Sequence, residues 1–250
     1  MKNLLYILLL LPQIFLAQKG FEDGNELFRK NQFQEAAQAY ESVLKTNKHS
    51  AELYFNLGNA YYKLNKVAPA IYNFEKALLL KPNDETILNN LAFAQKMQID
   101  EIKEVPEVGF GKIVTNFTSS RHYNSWAWVA VFGSFFILLF FIGYYFSRRT
   151  LLKRIFFGGM FVSGLILVLG ITAALSEKEH ELLYRPAIVF DEQVEVKGEP
   201  KSDAQNAFVL HEGTKVEVME ELDDWRKIAL PDGTDGWILK NSIKELKADL

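Results

Sequence analysis

Two apolar runs of about 21 residues each, Trp126–Phe146 and Ile155–Leu175, are separated by little more than Arg148-Arg149-Thr150-Leu151-Leu152-Lys153-Arg154. A helix of about 20 apolar residues spans the roughly 30 Å hydrocarbon core of a bilayer while satisfying its own backbone hydrogen bonds. The pattern therefore predicts a transmembrane hairpin over 125–176. Arg148, Arg149, Lys153 and Arg154 have no comparable basic cluster beyond either outer end, so the positive-inside rule puts the loop in the cytoplasm. Both flanking regions then face the opposite side, as a two-pass protein requires.

Composition restricts the remaining possibilities. The chain has 250 residues and a formal net charge of -3, with its one dense basic cluster in the hairpin loop. The electrostatic footprint of a nucleic-acid binder is missing, and nucleic acid is set aside as a partner. There is no cysteine, which removes disulfides, thiolate metal sites and CxxC redox chemistry. At the N-terminus, Lys2, the apolar Leu4–Leu11 run and the Ile14-Phe15-Leu16-Ala17 exit read as a secretory signal over 1–17. Phe15 departs from the small-x-small preference, so cleavage after Ala17 and an uncleaved anchor both stay open. Either sends the following segment across the membrane.

Residues 18–103 are helical and repetitive. At a 34-residue period Tyr54, Leu57, Gly58, Tyr61, Ala70, Phe74, Ala77 and Pro82 occupy the signature positions of a tetratricopeptide repeat. Gly58 and Ala70 are small where the paired helices cross, the larger residues fill the core, and Pro82 stops the second helix. One period earlier Gly24, Leu27, Ala36, Tyr40 and Val43 hold equivalent places. One period later Leu88, Leu91 and Ala92 start a unit with no second helix, a capping helix for an all-α solenoid of two repeats. The concave face should carry Asn25, Phe28, Arg29, Phe55, Asn56, Asn59, Tyr62, Lys63 and Asn90, a protein-binding groove for an extended peptide or partner helix. Asn25 and Asn56 fall where carboxylate-clamp repeats place asparagines. The matching basic positions hold Phe21, Thr86 and Asn90, so the cationic half of such a clamp is absent; simple solvation or helix packing is the alternative use of these asparagines.

Residues 104–124 form a linker. Phe110, Ile113, Val114 and Phe117 share a helical face that either lies along lipid headgroups beside Tyr123, Trp126 and Trp128 or is buried as part of a plain connection. In the second span Gly159, Ser163, Gly170 and Ala174 make a stripe of small residues, suited to close approach of the first span or of a partner helix. No charged residue lies within either span, which argues against a proton relay or ion pathway.

Over 180–250 the pattern changes to alternating strands, Ala187–Val189, Gln193–Val196, Thr214–Met219, Trp225–Leu230 and Gly236–Leu239, with turn-formers between them. Leu210-His211-Glu212-Gly213-Thr214, Asp224-Trp225-x-Lys227 and Gly233-x-x-Gly236-Trp237-Ile238 resemble the bacterial SH3-like domain, a small all-β barrel. That resemblance implies tight turns at the glycines and three open uses: binding cell-wall peptide, binding another protein, or a structural role. Glu220, Glu221, Asp223 and Asp224 read as a solvated acidic turn. His49, His122, His180 and His211 are scattered, Asp191-Glu192 are neighbours facing opposite sides of a strand edge, and neither a metalloprotease nor a nucleophile motif is present. No catalytic, cofactor or metal site is expected, and a non-enzymatic role follows.

The order of signal, repeats, basic-looped hairpin and SH3-like barrel resembles the repeat-containing members of the Bacteroides aerotolerance (Bat) family. The resemblance implies an inner-membrane scaffold with both soluble modules in the periplasm, working with other membrane-associated Bat proteins in tolerance of oxygen and related stress. A different class of reading is a cell-wall-binding module that positions a peptidoglycan-processing enzyme.

Overall fold

The computed structural model describes residues 19–102, 117–118 and 123–247. The expected signal over 1–17 and most of the 104–124 linker, with Phe110, Ile113 and Val114, lie outside them. The chain forms two compact units, one holding the helical repeats and the C-terminal sheet, the other the two apolar helices.

The repeat region comprises α1 (19–29), α2 (Phe33–Leu44), α3 (Ala51–Lys63), α4 (Val67–Leu80) and α5 (Glu85–Gln95). Side chains cap two of the starts. Ser50 accepts from the Leu53 N–H at 3.1 Å, and Asp84 accepts from the amides of Thr86 and Ile87. Every turn between these helices contains an asparagine with positive φ: Asn31 (61°), Asn47 (58°), Asn65 (54°) and Asn83 (64°). Asparagine tolerates the left-handed conformation that ends a helix, because its short polar side chain bonds locally. After α1 and α3 the turn closes with Gln32 N–H to Leu27 O and Lys66 N–H to Tyr61 O, both 3.0 Å.

The repeat core follows the 34-residue period. A Cβ on Gly24 would come within 2.5 Å of the Tyr40 ring, and one on Gly58 within 2.8 Å of the Phe74 ring, so the same helix crossing recurs one period on. Tyr40, Tyr54, Leu57, Phe74 and Ala77 are buried. The third unit differs from expectation. Ile87, Leu91 and Ala94 are the buried residues of α5, whereas Leu88 and Ala92 are exposed. Leu88 and Ala92 would face a second helix, and none follows to cover them.

The sheet contains β1 (Pro186–Val189), β2 (Gln193–Lys197), β3 (Asn206–His211), β4 (Lys215–Leu222), β5 (Trp225–Ala229), β6 (Asp235–Leu239) and β7 (Ile243–Glu245). All pairings are antiparallel, in the order β3-β2-β6-β5-β4-β1-β7. Val189, Val196, Val218, Ile228 and Ile238 fill the interior. β3 and β7 were not expected. Phe208-Val209-Leu210 is consecutive rather than alternating, and β7 is only three residues long. Asp191 and Glu192 lie in the bend between β1 and β2, not on a strand edge. Gly213 (φ 89°) and Gly233 (φ 85°) take the left-handed turns expected of them.

The repeats and the sheet are not separate beads. Ile188 and Leu246, both fully buried, belong to the core cluster formed by Val67, Ile71, Phe74, Ile87 and Leu91. The β3–β4 turn packs on α4, where a Cβ on Gly213 would lie 3.0 Å from both Ile71 and Val67. Asp100, just after α5, accepts from the His211 backbone N–H (2.7 Å) and the Thr214 hydroxyl (2.7 Å), and its other oxygen lies 2.8 Å from His211 Nδ1. Gln98 Nε2 donates to Gly213 O at 2.6 Å, and Lys215 pairs with Glu75 at 2.8 Å. The Tyr72 ring meets Phe190 edge-on at 5.5 Å. Helix α4 is therefore covered on both sides, which accounts for the burial of Asn73, Glu75 and Lys76 alongside its apolar residues.

In the other unit, α6 (Tyr123–Phe146) and α7 (Thr150–Leu183) are long and apolar enough to cross a membrane. The connection is shorter than the sequence pattern implied: Lys153 and Arg154 belong to the first turns of α7, and Lys153 Nζ lies 5.4 Å from the centre of the Tyr144 ring. Helix α7 also runs eight residues past Leu175. Gly170 approaches α6 so closely that a Cβ would lie 2.9 Å from Ala130 N, and one on Gly159 would lie 3.0 Å from the Phe140 ring. Ser163, Gly170 and Ala173 are the buried residues of α7; Ala173, rather than Ala174, lies deepest at that end. Trp126 Nε1 donates to Thr118 O at 2.7 Å.

Candidate protein-binding groove

Asn25, Phe28 and Arg29 of α1, Tyr40 of α2, and Asn56 and Asn59 of α3 line one hollow of about 240 Å³. The helical period puts Asn25 and Asn59 at one repeat position and Asn56 and Asn90 at another. Each residue of the first kind accepts from one of the second in the next repeat: Asn56 Nδ2 donates to Asn25 Oδ1 at 2.9 Å, and Asn90 Nδ2 to Asn59 Oδ1 at 2.7 Å. The series ends at Phe93, which stands where a third acceptor would be and is exposed. Tyr40 also donates to Asn25 Oδ1, at 2.7 Å. Burial pushes the Tyr40 phenol up to about 12 against the opposing pull of Arg29, so it remains a donor.

Five of the nine groove residues read from the sequence thus share this hollow, and Asn90 joins through Asn59. Lys63 is exposed beyond it. Phe55 and Tyr62 are half-buried against the repeat core, with the Phe55 ring 5.9 Å from Phe74, so they are packing residues first. Tyr40, a core position of the repeat signature, was missing from that set, and its hydroxyl reaches the hollow from the buried side. Phe21 packs on Tyr40 at 5.9 Å. The first asparagine acceptor is already doubly engaged. The chemistry left over is the amide nitrogen of Asn25, the carbonyl of Asn56 and the Arg29 cation: a donor–acceptor pair suited to a peptide unit, with one positive charge beside it.

The acidic turn of the sheet is more structured than a solvated loop. Glu221 pairs with Arg185 and, at 3.0 Å, with buried Arg226; Glu220 lies 3.7 Å from Lys227. Asp223 has positive φ (49°), and its carbonyl accepts from Arg226 at 3.1 Å. The Arg185 hydrogen bond, followed by the neighbouring cations, outweighs burial and holds the Glu221 carboxyl below its ordinary range. Arg185 grips Glu245 through two nitrogens, at 2.8 and 3.0 Å. These charges tie β1, β4, β5 and β7 together. His211, one of the scattered histidines, anchors the sheet to the repeats through Asp100. His49 bonds the Tyr54 hydroxyl at 2.6 Å. Among the described residues no cluster of metal-ligating side chains occurs.

With this geometry, residues 24–65 match the TPR repeat family, residues 51–84 the tetratricopeptide repeat family, and residues 191–245 the bacterial SH3 domain family. The chain is thus built of N-terminal tetratricopeptide repeats, two apolar helices and a C-terminal antiparallel all-β domain of the bacterial SH3 type, modules of protein–protein interaction. One curated relative is the Hsp70-Hsp90 organizing protein 1 of Glycine max, 34% identical over 67 residues. The similarity covers 27% of this chain and only 12% of that protein's length.

Proposed function

We propose that this protein is a non-enzymatic, membrane-anchored scaffold that holds an extended segment of a partner protein in the Asn25–Asn59 hollow. The carrying observation is the repeated asparagine pairing, which sets unspent amide groups beside Arg29 and Phe28 on a concave helical surface. Backbone-directed hydrogen bonds combined with one cation and an aromatic ring favour an extended peptide over a rigid small molecule. Two apolar helices supply the anchor. Two crossings return the chain to the side it left, and the core shared by Ile71, Ile188 and Leu246 supports repeats and sheet on one side. Together with the basic loop, this supports a periplasmic location for both modules on an inner membrane.

The test is photo-crosslinking from native membranes with a probe at Lys63, comparing wild type with an Asn25→Ala/Asn59→Ala pair. Partner adducts that vanish in the pair support the groove; adducts unchanged by it overturn the reading. Adducts with other membrane proteins that contribute to oxygen tolerance would place the chain in a Bat-like system. The bacterial SH3 match favours one second reading, contact with peptidoglycan that positions a wall-processing enzyme. Full-length protein in detergent that fails to co-sediment with purified sacculi would remove it.

A further inference from the structure

On α4, away from the asparagine pairs, lies a larger cavity of about 650 Å³ lined by the repeats and completed by Phe190 and Lys244 of the sheet domain. Its floor is Tyr54, Tyr72 and Lys76. One rim is the end of α2 with Lys45, and the other is supplied by the sheet through Phe190 and Lys244. Lys76 is buried, with Nζ 5.2 Å from the centre of the Tyr54 ring and 5.1 Å from that of Tyr72. Lys244 stands over Phe190, 4.0 Å from the ring centre. Glu41 is the one carboxylate among the lining residues, and the Tyr61 hydroxyl donates to it. Lys45 and Lys244 are exposed, and neither is held in an ion pair among the described residues. Exposed Lys45 and Lys244, set against the single lining glutamate, make the mouth of this cleft positive in a chain whose net charge is -3.

We infer that this junction cleft is a second docking site, and that its occupant is an acidic, extended segment of a partner protein carrying apolar side chains between its carboxylates. The volume lies within the range of about 300–1,000 Å³ usual for ligand sites, which favour domain junctions. The arrangement selects the occupant. The lysines come from three separate elements and are interleaved with aromatic faces, so they do not converge as donors around a single phosphate would require. Charges spread along a chain, with apolar groups reaching the rings between them, complement this surface. Because Phe190 and Lys244 come from the sheet domain, the complete site exists only while the sheet is docked on the repeats.

The probe is a fluorescein-labelled heptapeptide of alternating Glu and Leu, titrated by anisotropy into the full-length protein in neutral detergent. Its Gln-for-Glu analogue serves as the control. The expected result is saturable binding of the Glu peptide, at least tenfold weaker for the analogue and at least tenfold weaker in Lys45→Ala/Lys244→Ala, both being exposed positions. Affinity should fall with salt. The Asn25→Ala/Asn59→Ala pair should bind it as wild type does, which separates this cleft from the groove. Equal binding of the two peptides, or no loss in the lysine variant, would overturn the inference. So would displacement of the Glu peptide by inorganic phosphate or by phosphatidylglycerol in mixed micelles at equal charge, because the occupant would then be a simple anion or a lipid surface.

Discussion

Replacing Asp100 with alanine should loosen the sheet from the repeats. The side chain is only 15% exposed and receives two hydrogen bonds, from the His211 amide and the Thr214 hydroxyl, with His211 Nδ1 at bonding distance from its other oxygen. Hydrogen bonds to a charged group contribute about 1.5–3 kcal/mol each, and leaving a buried donor unpaired costs about 1–3 kcal/mol. Thr214, 3% exposed, would be left in that position. Because the bonds share one carboxylate they do not add, and a combined loss of about 3 kcal/mol is expected. For a unit of this size that corresponds to a fall in Tm of about 6–12 °C. Calorimetry of the full chain in detergent reads the shift, and hydrogen exchange at the Ile71, Ile188 and Leu246 amides locates it. A shift under about 2 °C with unchanged protection at all three would refute the claim that repeats and sheet form one cooperative body. Acid supplies a second check. Burial raises the Asp100 pKa, but the donors from His211 and Thr214 overcome that and hold it below the ordinary value. A depressed native pKa stabilises above the unfolded value of about 3.9, and the contribution disappears as pH falls through the native pKa. The stability gap between wild type and Asp100→Asn should therefore be full at neutral pH and narrow below about pH 4.

Gly58→Ala should cost about 1–3 kcal/mol, because the added carbon meets the Phe74 ring; thermal unfolding measures it. Asn65→Ala should cost about 1 kcal/mol and Asn65→Gly little or nothing, since only the left-handed conformation is at stake. Gly170→Leu should force α6 from α7, lowering the yield of a disulfide engineered between Gly133→Cys and Leu167→Cys in an otherwise cysteine-free chain. Single cysteines at exposed Asp203 and Arg149 should label with an impermeant maleimide from opposite sides of the membrane. Labelling from the same side would contradict the topology.

The repeats were legible because a 34-residue period imposes the same small-against-large crossing twice, Gly24 on Tyr40 and Gly58 on Phe74. The sheet was legible through Gly213 and Gly233, which take left-handed turns, and through Gly236, where a Cβ would lie 2.6 Å from Val196. The docking of one on the other was not, because Val67, Ile71 and Tyr72 are ordinary residues for a helix in such a repeat. A signal was present, however. Where the second repeat has Ile71 and Tyr72, the first has Ala37 and Gln38, and only the second needs an apolar outer face. The helix-ending asparagines were a missed regularity of the same kind. In the groove, residue type pointed to Asn25, Asn56 and Asn59, but their pairing across repeats depends on helix stacking that periodicity does not resolve. Phe55 and Tyr62 share their helical face yet turn into the core, because α5 offers apolar surface beside them.

The burial of Ile188 and Leu246 within the repeat core gives the order of synthesis a physical meaning. Helix α4 leaves the ribosome more than a hundred residues before Leu246, with two helices long and apolar enough to cross a membrane in between. Until the β3–β4 turn is made, the side of Val67 and Ile71 that packs on Gly213 has no cover from the sheet. The repeats thus gain their full apolar cover only once the C-terminal strands have been made.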